Sequence, residues 1–315
     1  FIGSNLYTFL KNKHFVKIKS FNSNSLLNLN KFDYIINCSI NKKYINNTYS
    51  ENNDFDLAIV KNLDENTNFI FLSSRKIYKP KANIFENSKI KCLNNYEKNK
   101  YITEKKIFKI KRNKSIILRI SNIIGYKKYN PRKIHNTYLD FFVSKIKKGE
   151  LILNRNDFKD FLDINTFSKM IDLIIKKKVF GIYNISIGKK VYLKELNNWL
   201  LNSNKSKKKL KIIRLKDNVK KESFYLNNSK IKKKININIS IAQLKKECIR
   251  LSKILWKLKK YIRSIPDYPK KGILFRDITT LIKNEKAFKV TIDQIIERSK
   301  KFNFTKVAAI ESRGF

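Results

Sequence analysis

The sequence is poor in several residue types, and each shortage argues against a class of protein. With two histidines and three cysteines in 315 residues, a histidine-rich metal site, a histidine-based catalytic triad and a disulfide framework are not expected. Cys38, Cys92 and Cys248 form no Cys-x-x-Cys pair, which favours a reducing, cytoplasmic location. His14 and His135 have no evident carboxylate partner and are interpreted as surface or packing residues. The sequence contains no run of about 18 apolar residues and no visible signal peptide, so no membrane association is expected.

Acidic residues are scarce as well, since 25 Asp and Glu stand against 71 Lys and Arg and leave a formal net charge of +46. Such a charge is typical of nucleic-acid-binding proteins. A content of 42% hydrophobic and 12% aromatic residues nevertheless predicts a packed core. Lysine is spread along the whole chain, and the Lys-rich segment 202–211 holds no aromatic residue. We expect a surface segment there and no specific nucleic-acid partner, with a basic nucleic-acid-binding protein as the alternative.

Short apolar runs alternate with segments long enough for helices. The predicted strands are 15–19, 34–37, 69–72, 116–120 and 181–187, and the predicted helices include 50–63, 95–111 and 193–201. This alternation predicts an α/β fold with a doubly wound parallel sheet. A long predicted helix over 241–262 precedes a Pro-rich breaker at 265–269. We place a boundary near Trp256, with a first domain over 1–255 and a second over 257–315.

Polar residues with catalytic potential follow the predicted strands. Tyr96 and Lys100 are four residues apart in a predicted helix and share one face of it. A nearby cation favours the phenolate form of a tyrosine, so Tyr96 is a candidate acid/base group. Ser74 ends the strand before this helix, and Asn122 follows the strand after it. Doubly wound folds bind ligands at the carboxyl ends of their strands, which is where these groups are expected.

Several further motifs stand in a fixed order over the first 250 residues. They are Phe1-Ile2-Gly3-Ser4-Asn5-Leu6, Asp33-Tyr34-Ile35-Ile36-Asn37-Cys38-Ser39, Leu118-Arg119-Ile120-Ser121-Asn122-Ile123-Ile124-Gly125, Phe158-Lys159-Asp160-Phe161 and Gly181-Ile182-Tyr183-Asn184-Ile185. Together with Ser74, Tyr96 and Lys100 they resemble the extended short-chain dehydrogenases/reductases, the NAD-dependent epimerases and dehydratases of nucleotide sugars. The resemblance covers about residues 1–250 and implies a Rossmann-like sheet with a small substrate subdomain.

The resemblance also implies roles for individual residues. Tyr96 would move a proton to or from a sugar hydroxyl while a hydride moves to or from the nicotinamide. Lys100 would favour the ionised form of Tyr96 and hold the cofactor ribose, and Ser74 would bond the substrate oxygen. The other implied cofactor-binding residues are Ile2, Gly3, Cys38 and Ser39, and the implied substrate-binding residues are Asn122 and Lys159. Apart from this resemblance, Cys38 is interpreted as a small buried residue.

The sequence departs from the family pattern at three places. The first two glycines of the dinucleotide loop and the strand before them are absent, so we expect an N-terminally truncated domain without its first strand. Ser20, beside Lys19, stands where the family often has an acidic residue, which leans towards NADP but leaves NAD open. Lys159 replaces the family's arginine and lacks its bidentate fork. The sugar, and the choice among epimerase, dehydratase and reductase, stay open.

The last part of the chain carries a different signal. It contains Ile265-Pro266-Asp267-Tyr268-Pro269, Gly272-Ile273-Leu274-Phe275-Arg276-Asp277, a predicted helix over 287–298, a predicted strand over 307–310 and Glu311-Ser312-Arg313-Gly314-Phe315. This arrangement over about 258–315 closely resembles the N-terminal part of the adenine phosphoribosyltransferases of purine salvage. A strand end with Ser, Arg and Gly offers backbone N–H groups and a guanidinium to an anion.

This second resemblance implies adenine and phosphoribosyl diphosphate as substrates. It places Phe275, Arg276 and Asp277 by the adenine and Glu311, Ser312, Arg313 and Gly314 in the pyrophosphate-binding loop. The later phosphate-binding and catalytic loops are absent, so we expect a truncated, inactive segment, with Mg²⁺ required only in a complete domain. The join would be a natural fusion, a lost stop codon or a sequencing error.

Two alternatives remain beside a basic nucleic-acid-binding protein. The chain could act as an adenine phosphoribosyltransferase, or its first part could bind sugar nucleotides without catalysis. Both families commonly form dimers, so a homodimer is one arrangement that the resemblances imply.

Overall fold

The structure is a computed structural model that describes residues 1–21, 26–111, 114–125, 137–152, 157–202, 211–213, 223–257 and 261–299. The chain forms two compact units, one from residues 1–197 and 209–247 and the other from 198–208 and 248–315. These units are defined by packing. The domain boundary near Trp256 separates two family resemblances and stays a prediction.

Helices and strands alternate along most of the described chain. The helices are α1 (Ile2–Leu10), α2 (Lys42–Asn46), α3 (Phe55–Lys61), α4 (Asn95–Lys111), α5 (Tyr138–Lys147), α6 (Ile164–Lys176), α7 (Leu193–Leu201), α8 (Ser229–Ile235), α9 (Ile241–Lys257), α10 (Thr279–Ile282) and α11 (Glu285–Ser299). The strands are β1 (Tyr34–Ile36), β2 (Asn68–Ser74), β3 (Ser115–Ile120), β4 (Asn122–Ile124), β5 (Glu150–Ile152), β6 (Phe158–Lys159), β7 (Phe161–Asp163), β8 (Gly181–Ile185), β9 (Val191–Tyr192), β10 (Lys211–Ile213), β11 (Arg263–Pro266) and β12 (Leu274–Asp277). In the described part of the chain, no helix has the length and apolarity to cross a bilayer.

The first unit is built on a four-stranded parallel sheet in the order β1-β2-β3-β8. Phe69 of β2 pairs with Ser115 of β3, and Ile116 of β3 pairs with Gly181 of β8. Strand β3 is buried along its whole length, as expected for a parallel strand covered on both faces. The α/β prediction with a parallel sheet is therefore confirmed.

The core of the first unit lies between this sheet and two of its helices. Val60 of α3 and Ile107 of α4 pack against Phe69, Phe71 and Ile117 in one buried cluster. Each fully buried side chain of this size stabilises the fold by roughly 1.5–3 kcal/mol. This packing presses α4, which carries Tyr96 and Lys100, against the sheet.

Three of the predicted elements that the structure describes differ from it by more than two residues. The predicted helix over 50–63 is shorter, because a 3-10 turn over Glu51–Asn53 precedes α3. Residues 15–19 are irregular, with Phe15 88% and Ile18 60% exposed, and they pair with no strand among the described residues. An apolar β-branched run becomes a strand only where a neighbour satisfies its backbone groups, so local preference was overridden here. The described part of helix α9 runs from Ile241 to Lys257, whereas the predicted helix continues to residue 262. Helices α4 and α7 have the predicted bounds.

Within the residues that the structure describes, the second unit contains a hairpin, the helices α10 and α11 and the C-terminal part of α9. Strands β11 and β12 are antiparallel, and Arg263 pairs with Asp277 in their register. The turn between them uses Gly272 at φ +87°, a conformation that favours glycine. Its N–H donates to Oδ1 of Asp267 at 2.7 Å. The predicted helix over 287–298 lies within α11, whereas the predicted strand over 307–310 and most of the surface segment over 202–211 lie outside the described residues.

Candidate active site

Helix α4 starts at a defined position because its first turn is capped on both sides. Oδ1 of Asn94 accepts from the N–H of Glu97 at 3.0 Å, and the Glu97 carboxylate accepts from the N–H of Leu93 at 2.6 Å. Reciprocal bonds of this kind satisfy N–H groups that a helix start leaves open. They set the rotation of the first two turns, which carry Tyr96 and Lys100.

Lys100 is buried, with its side chain 6% exposed. Its ammonium donates to the carbonyl of Leu72 in β2 at 3.1 Å and lies 3.4 Å from Oδ2 of Asp56. Burial alone would lower the pKa of Lys100, but the charges of Asp56 and Tyr96 raise it above the ordinary lysine value. Lys100 is therefore a cation held between α4 and the carboxyl half of β2, within electrostatic reach of Tyr96.

Ser74 stands at the end of β2, close to the start of α4. Its Oγ accepts from the N–H of Lys76 at 3.2 Å and caps the short 3-10 helix Arg75–Ile77. The Lys76 ammonium lies 5.9 Å from the centre of the Tyr96 ring. An open pocket of about 370 Å³ is lined by Ile45, Asn46, Lys76, Asn94, Asn95 and Tyr96. The structure thus brings the three predicted catalytic residues to one region, at the carboxyl end of β2.

The predicted cofactor-binding residues meet at the end of β1. Gly3 lies in the first turn of α1, and a Cβ added there would stand 3.1 Å from Cβ of Cys38. That approach is tighter than a side chain normally permits. The turn after β1 is held by Asn37, which accepts from the N–H of Ser39 at 2.9 Å and donates to its carbonyl at 3.1 Å. Gly3, its neighbour Ile2, Cys38 and Ser39 therefore form one cradle beside a helix N-terminus.

Cys38 differs from its interpretation as a small buried residue, because it is exposed at this cradle. The position at the strand end explains the difference. β1 ends at Ile36, and the chain turns outward before Cys38.

The two predicted substrate-binding residues lie on strands of two different sheets, β4 paired with β7 and β6 paired with β9. The side-chain amide of Asn122, in β4, donates to the carbonyl of Asp160 at 3.1 Å. Lys159, in β6, pairs through its backbone with Val191 of β9. The structure brings Asn122 next to the segment that carries Lys159, and it engages the Asn122 amide in holding that segment.

Asp160 is an organising residue that the sequence reasoning missed. It is fully buried, and its carboxylate accepts from the N–H groups of Ile187 at 3.0 Å, Leu226 at 3.0 Å and Gly188 at 3.3 Å. Burial raises the pKa of Asp160 to about 7, although these hydrogen bonds oppose the rise. Its place in the Phe158-Lys159-Asp160-Phe161 motif, in a chain with so few acids, was the available signal.

A second buried polar network holds α4 to the sheet. Nη2 of Arg119, in β3, donates to Oε2 of Glu104 at 2.7 Å, and the Ser73 hydroxyl of β2 donates to Oε1 at 2.5 Å. Arg119 also donates to the Tyr78 hydroxyl at 2.6 Å. Glu104 was missed, although it continues the face of Tyr96 and Lys100 at the next four-residue step.

His14 has a carboxylate partner, contrary to the expectation from the sequence. Its Nε2 lies 2.7 Å from Oδ1 of Asp172, 158 residues later in the chain, and Lys13 and Lys176 contact Oδ2 at 2.9 and 3.2 Å. Burial opposes ionisation of Asp172, but these three partners hold its pKa below the ordinary range. Asp172 lies on α6, far from His14 in the sequence, so the local sequence pattern around His14 could not predict the contact. His135 lies outside the described residues.

In the second unit, Asp277 acts within the hairpin. Its Oδ2 lies 2.7 Å from Nη2 of Arg263. Its Oδ1 accepts from the N–H and the hydroxyl of Thr279, at 2.9 and 2.7 Å. The hydrogen bonds from Thr279, and to a smaller extent Arg263, hold the pKa of Asp277 below its ordinary value. The carboxylate thus joins β11, β12 and the start of α10.

The neighbouring predicted adenine-binding residues are exposed. The Phe275 ring, 43% exposed, packs edge-on against Tyr268 with centroids 5.2 Å apart. The Arg276 guanidinium donates to the Ser264 hydroxyl. The predicted loop of Glu311, Ser312, Arg313 and Gly314 lies outside the described residues.

Comparison with known proteins agrees with an α/β protein built on a parallel sheet. The model of the NAD dependent epimerase/dehydratase family matches residues 1–186, more than half of the 315 residues. This chain belongs to the NAD-dependent epimerase/dehydratase family.

Solved structures share the same fold. The UDP-N-acetylglucosamine 4-epimerase of Methanobrevibacter ruminantium M1, in complex with UDP-N-acetylmuramic acid, aligns with a TM-score of 0.62 at 16% identity, over 82% of this chain and 96% of that chain. The dTDP-glucose 4,6-dehydratase of Bacillus anthracis, in complex with NAD, aligns with a TM-score of 0.60 at 17% identity, over 82% and 96%. At these identities the likeness establishes the fold.

Curated relatives match a much shorter stretch. The adenine phosphoribosyltransferase of Pelagibacter ubique is 76% identical over 58 residues, which are 18% of this chain and 33% of that enzyme. Adenine phosphoribosyltransferase 4 of Arabidopsis thaliana is 57% identical over 58 residues, 32% of its length. The chain therefore spans about a third of the curated relatives that it matches, and the second resemblance is confirmed as homology over a short segment.

Proposed function

We propose that the first unit uses NAD or NADP to move a hydride on a nucleotide sugar, as an epimerase, dehydratase or reductase. The observation that carries the proposal is the position of Lys100. It shares a face of α4 with Tyr96 and is bonded to the carbonyl of Leu72, two residues before Ser74. Family membership supports the cofactor class. Structures of the same fold that were solved in complex with UDP-N-acetylmuramic acid, NAD and NADPH support the ligand classes.

The cradle at the end of β1 fits the cofactor. Gly3 keeps the space beside Cys38 open, since a Cβ there would stand in tight contact at 3.1 Å, and the N-terminus of α1 offers N–H groups to an anion. Ile2, Gly3, Cys38 and Ser39 would hold the cofactor on this side, and the Lys100 ammonium would bond its ribose. The bound nicotinamide supplies the hydride chemistry.

Tyr96 carries the proton in this proposal. When a hydride passes from a sugar carbon to the bound nicotinamide, the proton of the hydroxyl on that carbon would pass to Oη of Tyr96. The reverse transfer reduces a carbonyl and returns that proton. Lys100 places a positive charge within electrostatic reach of Tyr96, which exchanges the proton. The Ser74 hydroxyl donates to the substrate oxygen, while Asn122 and Lys159 bind the rest of the nucleotide sugar.

The test is a pair of tyrosine variants on one helix. Tyr96→Phe should lower turnover of a nucleotide sugar on the order of a hundredfold or more and leave NAD(H) or NADP(H) binding intact. Tyr101→Phe makes the same chemical change one turn away and should leave turnover near the wild-type rate. Both are measured in the full chain. Equal turnover of wild type and Tyr96→Phe contradicts the role of Tyr96.

For the second unit we propose no adenine phosphoribosyltransferase activity in this chain. The matched segment is 33% of the length of that enzyme in Pelagibacter ubique. Phe275, proposed to lie by adenine, is 43% exposed. Adenine and phosphoribosyl diphosphate with Mg²⁺ should yield no AMP, and AMP formation above a protein-free control contradicts the proposal.

Nucleic acid is not a specific partner in this proposal. Several cations serve local contacts, such as Lys100 with Asp56 and Arg119 with Glu104. Filter binding near physiological salt should give weak retention that depends on ionic strength and not on sequence. Tight, sequence-selective retention contradicts this. A homodimer, proposed from the family resemblance, is tested by sedimentation.

A further inference from the structure

Asp56 is a buried acid beside the proposed active site with no role so far. It is the second residue of α3 and is 4% exposed. Its two oxygens have different partners: Oδ2 faces the Lys100 ammonium at 3.4 Å, and Oδ1 accepts from the side-chain amide of Asn37 at 2.8 Å. Burying two charges is costly unless each is compensated, so each of these charges depends on the other.

Asn37 extends this contact to the cofactor cradle. The same side-chain amide that donates to Asp56 also donates to the carbonyl of Ser39, and its oxygen accepts from the N–H of Ser39. Cys38, which lies against Gly3, stands between Asn37 and Ser39 in the sequence. One carboxylate therefore joins the lysine beside Tyr96 to the turn proposed to hold the cofactor.

Other ionisable groups near this pair serve elsewhere or act more weakly. The Asp54 carboxylate accepts from the hydroxyls of Thr103 at 2.5 Å and Tyr49 at 2.9 Å and caps α3. Tyr44 presents its ring to Lys100 at 5.6 Å. Tyr96 and Asp54 both act on the charge of Lys100, but Asp56 does so most strongly among its charged neighbours.

We propose that Asp56 is a positioning residue, which holds Lys100 as a cation in place and couples it through Asn37 to the cofactor cradle. The inference rests on the proposed function, since it assigns Lys100 to the cofactor ribose. Without the carboxylate, burial dominates and Lys100 loses its proton at lower pH. The ammonium would then be lost from the cofactor site within the range where the wild-type protein keeps it.

The cofactor arm measures the dissociation constant of NADH or NADPH between pH 7 and 9. Wild type should bind with little pH dependence. Asp56→Asn should weaken binding about tenfold at pH 7 and further as the pH rises, and Asp56→Glu should restore part of the affinity. Asp54→Asn is the matched control, because it removes one buried charge from the same helix and keeps a capping side chain. It should stay within about twofold of wild type.

Asn37→Ala separates position from charge. It removes the tie to the cradle and keeps the Asp56 carboxylate, so binding should weaken a few-fold with the flat pH profile of wild type. If the Asp56→Asn variant binds the cofactor with wild-type affinity and with the same flat pH profile, the inference is overturned.

A cofactor-free arm tests the pair by itself. The equilibrium constant for unfolding is compared among wild type, Asp56→Asn, Lys100→Met and the double variant, with circular dichroism to confirm folding. The effect of Asp56→Asn should be at least about tenfold smaller when Lys100 is already replaced. Additive effects overturn the pairing. If the wild-type protein binds neither NAD(H) nor NADP(H), the proposed function and the cofactor coupling fail together. The four unfolding constants still show whether Asp56 and Lys100 stabilise each other.

Discussion

The two ends of this chain contrast in how their sequence likeness relates to their packing. The first unit aligns with solved epimerase structures at 16% identity, yet Phe69 and Phe71 of its sheet are fully buried. The adenine phosphoribosyltransferase segment is 76% identical to a relative over 58 residues. In the second unit, however, Leu274 is 50% and Ile295 54% exposed. High identity thus reports common ancestry of the residues, whereas burial reports whether they form a core.

The same contrast appears in one ion pair from each unit. Arg119 and Glu104 of the first unit have side chains 5% and 3% exposed, whereas Arg263 of the second is 64% exposed beside Asp277. A desolvated pair depends on both partners, because removing one leaves an uncompensated buried charge. An arginine that water can reach loses little when its partner is replaced. Similar chemistry therefore has different energetic weight in the two units.

Amide hydrogen exchange should give the largest difference between the units. Amides of β2 and β3 are expected to exchange on the order of a hundredfold or more slowly than those of β11 and β12, because opening the sheet exposes a buried core. Peptide-resolved mass spectrometry measures both in one sample. Equal protection of the hairpin and the sheet would remove the contrast.

Truncating one phenylalanine in each unit should sharpen the contrast between the two units. Phe71→Ala should lower the free energy of unfolding by about 3–5 kcal/mol, because it empties part of a closed core. Phe275→Ala removes a half-exposed ring that packs on Tyr268, and it should change the free energy of unfolding by about 0.5 kcal/mol or less. Urea unfolding followed by circular dichroism measures both, and similar losses would show that the hairpin carries a core of its own.

The two ion pairs allow a matched test. Arg119→Met should cost about 3 kcal/mol, because Glu104 is left buried without its cation. Adding Glu104→Leu should recover much of that loss. Arg263→Met should cost less, because the Asp277 carboxylate keeps its two hydrogen bonds from Thr279. An equal loss in Arg119→Met and Arg263→Met would contradict the difference in burial.

The smallest effect concerns acid stability at Asp172. Its pKa is lowered in the folded state, so its contribution is present above about pH 3.9, the unfolded value, and is lost as the pH falls through the folded value. Asp172→Asn should therefore be less stable than wild type at pH 6, and the gap should narrow towards pH 3. Asp277→Asn is the counterpart in the hairpin. A gap that widens at low pH would reverse the assigned sign.

Much of the framework could be predicted from local pattern. Helix α4 has its predicted bounds because a capping pair precedes a long helical run, and β3 is recognisable from the apolar run over 116–118. The spacing of Tyr96 and Lys100 places them on one helix face whatever the tertiary fold. Residues 15–19 failed as a strand because a strand also needs a neighbour, which local pattern cannot supply.

The chain by itself determined the alternation of strands and helices, the Tyr96–Lys100 spacing and both family likenesses, since these depend on neighbours along the backbone. Only the tertiary structure decided which charges meet. Asp56 reaches Lys100 across 44 residues and Asp172 reaches His14 across 158, while Glu104 meets Arg119 between helix and sheet. The reason is physical: packing the helices onto the sheet takes these charges out of water, and a buried charge is tolerated where the fold places a partner within reach.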